Sequence, residues 1–192
     1  QEAPAPSEQA EIVLTELVDL RRAISETAGS PMIMHRQTSP EIQRFVNRPD
    51  VADLATRGPL TPDHIIRTKR VPLVGRDVNQ FAEDYREYFA QHHGNVSQEL
   101  TMLDPAPRVV LDPELGLMTI GATAKDAAIA SDIYHHTMPV LECLEDQRSG
   151  YVALEEADLF SLEYWDLEQA KLRLAGPRKE FAGQVALVTG AA

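Results

Sequence analysis

The stretch from Arg108 to Met138, RVVLDPELGLMTIGATAKDAAIASDIYHHTM, constrains the fold more than any other in the chain. Arg108 to Leu111 is a short β-branched run, and Asp112-Pro113-Glu114 ends it because proline cannot donate to a ladder. Leu117 to Ile120 is a second short apolar strand, closed by Gly121. Thr123 stands where an N-cap belongs, with Asp126 one turn on, near the positive end of the new helix. Ala124, Ala127, Ala128 and Ile129 open an apolar stripe that continues through Tyr134 and Met138. Two strands feeding a long helix predict an α/β fold. The expected sheet is small and mixed, built on Ile65–Lys69, Val109–Leu111 and Leu117–Ile120, with helices flanking it.

The remaining elements follow from caps and periodicity. Ser7 caps a helix whose apolar positions Ala10, Val13, Leu17, Leu20 and Ile24 step by three and four, and Gly29 ends it. Met32-Ile33-Met34 is a strand candidate. Ser39-Pro40-Glu41 starts a second helix that stops before Pro49, and Asp50 restarts a short one to about Thr56. Gly58 to His64 is a proline-framed loop. Asp77 caps a helix with Val78, Phe81, Tyr85 and Phe89 facing inward, ending at Gly94, and residues 94–107 form a loop. Pro139 predicts a kink or break in the long helix. Past Gly150 the chain turns acidic, with a helix near Leu154–Ala157 and another capped by Ser161 and ended by Gly176-Pro177.

Composition limits the function classes. Of 192 residues, 43% are hydrophobic, enough for a core, and 30 acids against 18 bases give a net charge of −12. That charge disfavours nonspecific binding to nucleic acid or to an anionic membrane surface. The single cysteine, Cys143, excludes an internal disulfide and suits a reducing, cytoplasmic compartment. No apolar run is long enough to span a bilayer, and the polar start, Gln1 to Pro6, is no signal peptide. The expected partners are a small-molecule substrate and further copies of the chain, with no nucleic acid and no membrane.

Gly183-Gln184-Val185-Ala186-Leu187-Val188-Thr189-Gly190-Ala191-Ala192 carries the most specific local motif. A buried apolar strand followed by a glycine turn opens nucleotide-binding βαβ units, where the glycine lets the backbone approach a pyrophosphate. The segment resembles the start of a short-chain dehydrogenase, with Thr189 and Gly190 matching the first two letters of the T-G-x-x-x-G-x-G fingerprint. Those two are the candidate cofactor-binding residues, and the fold is expected to end in the first strand of a Rossmann-type domain. The strand is also expected to be paired to a sheet edge or docked on another copy, because an isolated apolar strand leaves its backbone and side chains without partners.

The strings Gly58-Pro-Leu-Thr-Pro-Asp-His-Ile-Ile-Arg-Thr-Lys, Val109-Val-Leu-Asp-Pro-Glu-Leu-Gly-Leu and Tyr164-Trp-Asp-Leu-Glu-Gln-Ala-Lys-Leu precede it in order. Together they resemble the bifunctional rhamnulose-1-phosphate aldolase/short-chain dehydrogenase family, over nearly all of the chain. The resemblance implies a class II, adducin-like aldolase fused to a dehydrogenase, with zinc and NAD(P) serving the parent enzyme. It divides the chain into a helical end of, or linker from, the aldolase domain (1–50), a degenerate aldolase-like α/β segment (51–147), a helical bridge (148–182) and the dehydrogenase start (183–192). Class II aldolases bind zinc through H-x-H and a later N-H-G-type turn. This sequence has no H-x-H, and Glu114-Leu115 stand where the Asn-His of that turn would. The parent's zinc is therefore expected to be bound upstream of Gln1, with no catalytic residue, metal ligand or bound cofactor in this piece. A non-catalytic module for oligomerisation or interdomain packing is the alternative.

The histidines fit that expectation. His92-His93 and His135-His136 are adjacent on helices, where neighbours point about 100° apart and cannot easily grip one metal. His64, beside Asp63 in the proline-framed loop, is read as fixing the loop rather than as a catalyst. Glu142, Glu145 and Asp146 read as a solvated helix face, and Cys143 as inert.

Overall fold

A computed structural model describes residues 8–95, 99–146, 150–174 and 180–190. Four strands form one sheet in the order β1-β4-β3-β2: β1 (Ile33–Gln37), β2 (Leu73–Val74), β3 (Val109–Asp112) and β4 (Gly116–Gly121). β4 is antiparallel to both β1 and β3, and β2 is parallel to β3. The fold is the expected α/β arrangement, a mixed sheet with helices against it.

Side chains alternate across β3 and β4, as a strand's two-residue period requires. Val110, Met118 and Ile120 pack with Leu20 and Ile24 of α1 (Glu8–Thr27) and with Val78 and Phe81 of α5 (Val78–His92). Val109, Leu111 and Leu117 face the other way, toward α2 (Pro40–Val46), α3 (Val51–Ala55) and α6 (Ala124–Asp146) through Ile42, Phe45, Leu54, Tyr134 and Met138. Both central strands are buried along their whole length, which explains why their sequences are apolar apart from Asp112 and Thr119. α1 and β1 belong to this same sheet unit.

The tight β3–β4 turn depends on Gly116. Its φ is +88°, and a Cβ there would stand 2.4 Å from the Gln37 carbonyl oxygen of β1. The caps are as expected: Thr123 Oγ1 accepts from the Asp126 amide at 3.1 Å, and Asp77 Oδ1 from the Gln80 amide at 2.9 Å.

Four expectations need correction. Ile65 to Lys69 is not a strand. A 3₁₀ turn at Pro62–His64 runs into a one-turn helix, α4 (Ile65–Thr68), which buries Ile65 and Thr68 three apart and leaves Ile66 37% exposed. Helical spacing overrides the β-propensity of the paired isoleucines. The sheet's missing edge is instead β2, too short to show a period. Ser161 caps nothing: it lies inside α7 (Glu156–Glu163), its hydroxyl bonded back to the Ala157 carbonyl at 2.9 Å, and the chain breaks at Tyr164-Trp165 before α8 (Asp166–Leu174). Of the kink or break expected at Pro139, the break does not occur, since α6 continues past it to Asp146.

The fourth correction concerns Val185 to Val188. These residues form no strand and pair with no edge of this chain's sheet: Val185 is 81%, Leu187 91% and Val188 73% exposed within the single chain. At the base of the segment, Arg21 Nη2 donates to the Gly183 carbonyl at 3.3 Å. The β1 and β2 edges of this sheet stay unused by it, so the chain as described does not end in a Rossmann strand. Among the described residues no helix is long and apolar enough to cross a membrane.

Candidate functional site

Lys69 lies at the C-cap of α4 with φ 61° and ψ 178°, the one non-glycine residue with positive φ among those described. That region of backbone space is disfavoured for any residue with a Cβ and persists only where surroundings enforce it. The enforcement is visible. The Lys69 amide donates to the Ile65 carbonyl at 2.9 Å, and Thr68 Oγ1 donates to the Lys69 carbonyl at 3.1 Å. The side chain is buried at 5% exposure, its Nζ donating to the Asp104 carbonyl at 2.6 Å and lying 3.4 Å from the centroid of the Tyr85 ring.

Around this amine the 99–108 loop and helices α5 and α7 bring together a buried polar network. The Tyr85 hydroxyl donates to Glu163 Oε1 at 2.9 Å and lies 2.7 Å from the Tyr164 hydroxyl, which accepts from the Leu103 amide at 3.3 Å. Because the single Tyr85 proton goes to Glu163, Tyr164 donates to Tyr85, and a directed chain runs from the Leu103 amide to the carboxylate. Glu163 is 1% exposed, and its Oε2 has no hydrogen-bond partner among the described residues. Arg108 pairs with Asp104 through Nη2 and Oδ2.

The electrostatics follow from burial. Desolvation, then the nearby Arg108 charge, push the Lys69 amine down to about 7, with Glu163 and Asp104 opposing. Desolvation likewise raises the Glu163 carboxyl above its ordinary value, with Lys69 opposing. Burial also raises Tyr85, whose deprotonated form Glu163 would further disfavour. A buried amine pushed down and a buried carboxyl pushed up within one network is a pattern associated with functional sites.

Lys69 and Tyr85 also line a cleft of about 460 Å3. Its buried wall includes Leu73, Phe81 and Tyr88, and its exposed rim carries Asp77, Gln80 and Asp84. The buried Tyr88 hydroxyl has no hydrogen-bond partner among the described residues. On the other side of the Lys69–Pro72 segment a small cavity is lined by His64, Thr68, Tyr134 and Thr137.

The residues singled out from sequence are dispersed. His64 is partly buried, and burial, then His136, lower its pKa against the pull of Asp63; its Nδ1 has no partner among the described residues. His92 meets Tyr88 edge-on at 5.2 Å, and His93 stacks on Phe89 at 5.3 Å. His135 Nε2 lies 2.7 Å from Gln37 Oε1. Glu142 and Glu145 are not simply solvated: they pair with Arg44 at 3.2 Å and Arg57 at 2.7 Å, tying α6 to the α2–α3 side. Cys143 is exposed. Thr189 and Gly190 lie in the exposed terminal segment, where Gly190 has φ +74° and open space around it. Nothing in the sequence signalled the Lys69 network, whose members, from Lys69 to Tyr164, span 95 positions and read singly as surface charge or helix core.

The turn from Asp112 to Gly116, which resembles the aldolase metal turn in outline, does not fit zinc. Asp112 is already held by Arg76, with Nε to Oδ2 at 2.6 Å, and its Oδ1 accepts from the Glu114 and Leu115 amides at 2.9 and 2.8 Å. Arg76 also pairs with Glu114 at 2.5 Å and with Glu16 of α1 at 3.1 Å. Among the described residues no group of three or more His, Cys, Asp or Glu could hold a metal ion.

Comparison with known proteins places these features in context. Residues 11–172 match the family described as aldolase class II, second domain. A curated relative, the uncharacterized oxidoreductase YuxG of Bacillus subtilis (strain 168), is 29% identical over 207 aligned positions, covering 98% of this chain and 29% of the relative. The chain thus spans less than a third of that protein's length. No solved structure matches.

Proposed function

This chain belongs to the aldolase class II second-domain family, and we propose that it is one portion of a larger two-activity enzyme of sugar catabolism. In that reading one activity cleaves a phosphorylated deoxyketose with zinc, and the other is an NAD(P)-dependent short-chain dehydrogenase step. The whole enzyme works as a cytoplasmic homo-oligomer. The family match supports the lyase half, and the relative's designation as an oxidoreductase supports the other.

The chain's own part is structural. The observation that carries this is the Arg76 guanidinium bound to carboxylates from α1, β3 and the β3–β4 turn. A turn whose acids and amides are already satisfied braces the sheet and has no oxygen set left over for a metal. Zinc belongs to ligands supplied elsewhere in the enzyme. Thr189 and Gly190 then open the dinucleotide site once Val185 to Val188 pair with the dehydrogenase's own strands, which would bury the apolar side chains exposed here.

The test is to express the complete protein and assay aldol cleavage of deoxyketose 1-phosphates and NAD(P)-linked oxidation of small alcohols and aldehydes. Both activities, the first lost on zinc removal, support the reading. A complete protein with neither favours the second reading, an aldolase-like packing module, toward which the exposed apolar stretch Phe181 to Val188 points.

A further inference from the structure

We propose that the cleft over Lys69 is a capture site for a small uncharged hydroxy-aldehyde or hydroxy-ketone, which Lys69 Nζ holds as a reversible imine. This site is separate from the zinc and dinucleotide centres of the functional reading above and does not depend on them.

Three features of the geometry point to it. The amine is held in a disfavoured backbone conformation against the Tyr85 ring, and both residues line a cleft of about 460 Å3, within the size range of small-molecule pockets. A buried carboxyl, Glu163, accepts from the Tyr85 hydroxyl at 2.9 Å and fixes that hydroxyl in place beside the cleft. The cleft lining carries Asp77 and Asp84, which accept hydroxyl hydrogen bonds and repel a phosphate, while its one guanidinium, Arg70, is paired with Glu156 at 2.8 Å, so the ligand is hydroxylated and uncharged.

Burial beside a second cation, Arg108, is a recognised way to keep a lysine unprotonated and nucleophilic near neutral pH. To react, Nζ gives up its bond to the Asp104 carbonyl and turns into the cleft. The amine lone pair forms the C–N bond and the carbonyl π pair moves to oxygen, which takes one of the two nitrogen protons, relayed by the Tyr85 hydroxyl, to give a neutral carbinolamine. The nitrogen lone pair then forms C=N as the hydroxyl leaves as water with the second nitrogen proton. One water leaves for each imine, and no oxidant or reductant takes part.

The experiment is trapping of glycolaldehyde or glyceraldehyde with cyanoborohydride on the full chain near neutral pH, followed by peptide mapping. Lys69 should label about tenfold or more faster than the chain's other lysines, Lys125, Lys171 and Lys179, because a lysine side chain free in water, with a pKa of about 10.4, is almost wholly protonated there. Its labelling should rise through about pH 7, and in denaturing urea the preference should vanish. Lys69→Met should remove the preferred adduct. The unaltered protein decides the matter even if that variant misfolds. Even labelling across the four lysines, or an unlabelled Lys69, overturns the proposal. Glyceraldehyde 3-phosphate labelling Lys69 as well as glyceraldehyde does would overturn the assignment of an uncharged ligand.

Discussion

Arg76 grips Asp112 with two parallel hydrogen bonds, Nε to Oδ2 at 2.6 Å and Nη2 to Oδ1 at 2.9 Å, joining the end of β2 to the end of β3. Asp112 is nearly buried, and the same carboxylate caps the β3–β4 turn through two amides. Asp112→Ala removes all four bonds and leaves a guanidinium and two amides to find water. It should destabilise the chain by about 3 kcal/mol. Urea denaturation measures it, and a change below about 0.5 kcal/mol, the level of an ordinary surface substitution, would contradict the bracing role.

The same carboxylate sets an acid limit. Burial alone would raise the Asp112 pKa, but the Arg76 hydrogen bond and the Leu115 and Glu114 amides outweigh it and hold the group below its ordinary value. A lowered carboxyl contributes stability that is present above its unfolded pKa, about 3.9, and is lost as pH falls through the folded value. Wild type should therefore lose stability below about pH 4 more steeply than Asp112→Asn. Parallel acid titrations of the two by circular dichroism test this, and superimposable curves would mean that Asp112 makes no such contribution.

Lys69 gives a slope of the same sign at higher pH. Its folded pKa, about 7, lies below the unfolded one, so between them the unfolded chain binds more protons and stability rises with pH. Relative to Lys69→Met, wild type should gain stability between about pH 7 and pH 9.5, before tyrosine ionisation in the unfolded state intervenes. A difference between the two that stays constant across this window would mean that Lys69 keeps an ordinary pKa.

Gly116→Ala should cost about 3 kcal/mol or more, because a Cβ meets the backbone of β1 and φ is +88°. Gly29→Ala, also at positive φ but in open space, should cost less. Equal thermal shifts for the two would show that the β1 contact contributes nothing.

The sheet and long helix were legible because both strands of the Arg108–Met138 unit are buried on two faces and the turn and cap residues between them admit few conformations. Ile65 to Lys69 was misread because two β-branched residues in a short run mimic a strand, while the burial that decides the matter, Ile65 with Thr68, comes from tertiary packing. Ser161 was misread because a mid-helix serine bonding back to the preceding turn looks, in sequence, like a cap. Val185 to Val188 was read correctly as apolar, yet pairing needs a partner edge, and that is a property of neighbours rather than of the segment. The Lys69 network was invisible for a related reason. Burial and the 3.4 Å approach to Tyr85 come from the packing of α4 on α5, not from any local pattern.

Substitution in the exposed terminal segment separates the chain's own stability from its proposed role. Val185→Asp changes a residue that is 81% exposed here and should alter the chain's stability by less than about 0.5 kcal/mol. In the complete protein the same change should abolish hydride transfer while leaving aldol cleavage in place. Unimpaired hydride transfer would remove Val185 from any Rossmann strand.

The most direct test sets the 192-residue chain beside the complete protein in two assays, cleavage of a deoxyketose 1-phosphate and NAD(P)-linked hydride transfer. The account predicts that the complete protein performs both and that the chain alone, folded by circular dichroism, performs neither. Turnover of either reaction by the chain alone, in preparations free of the complete enzyme, would contradict it.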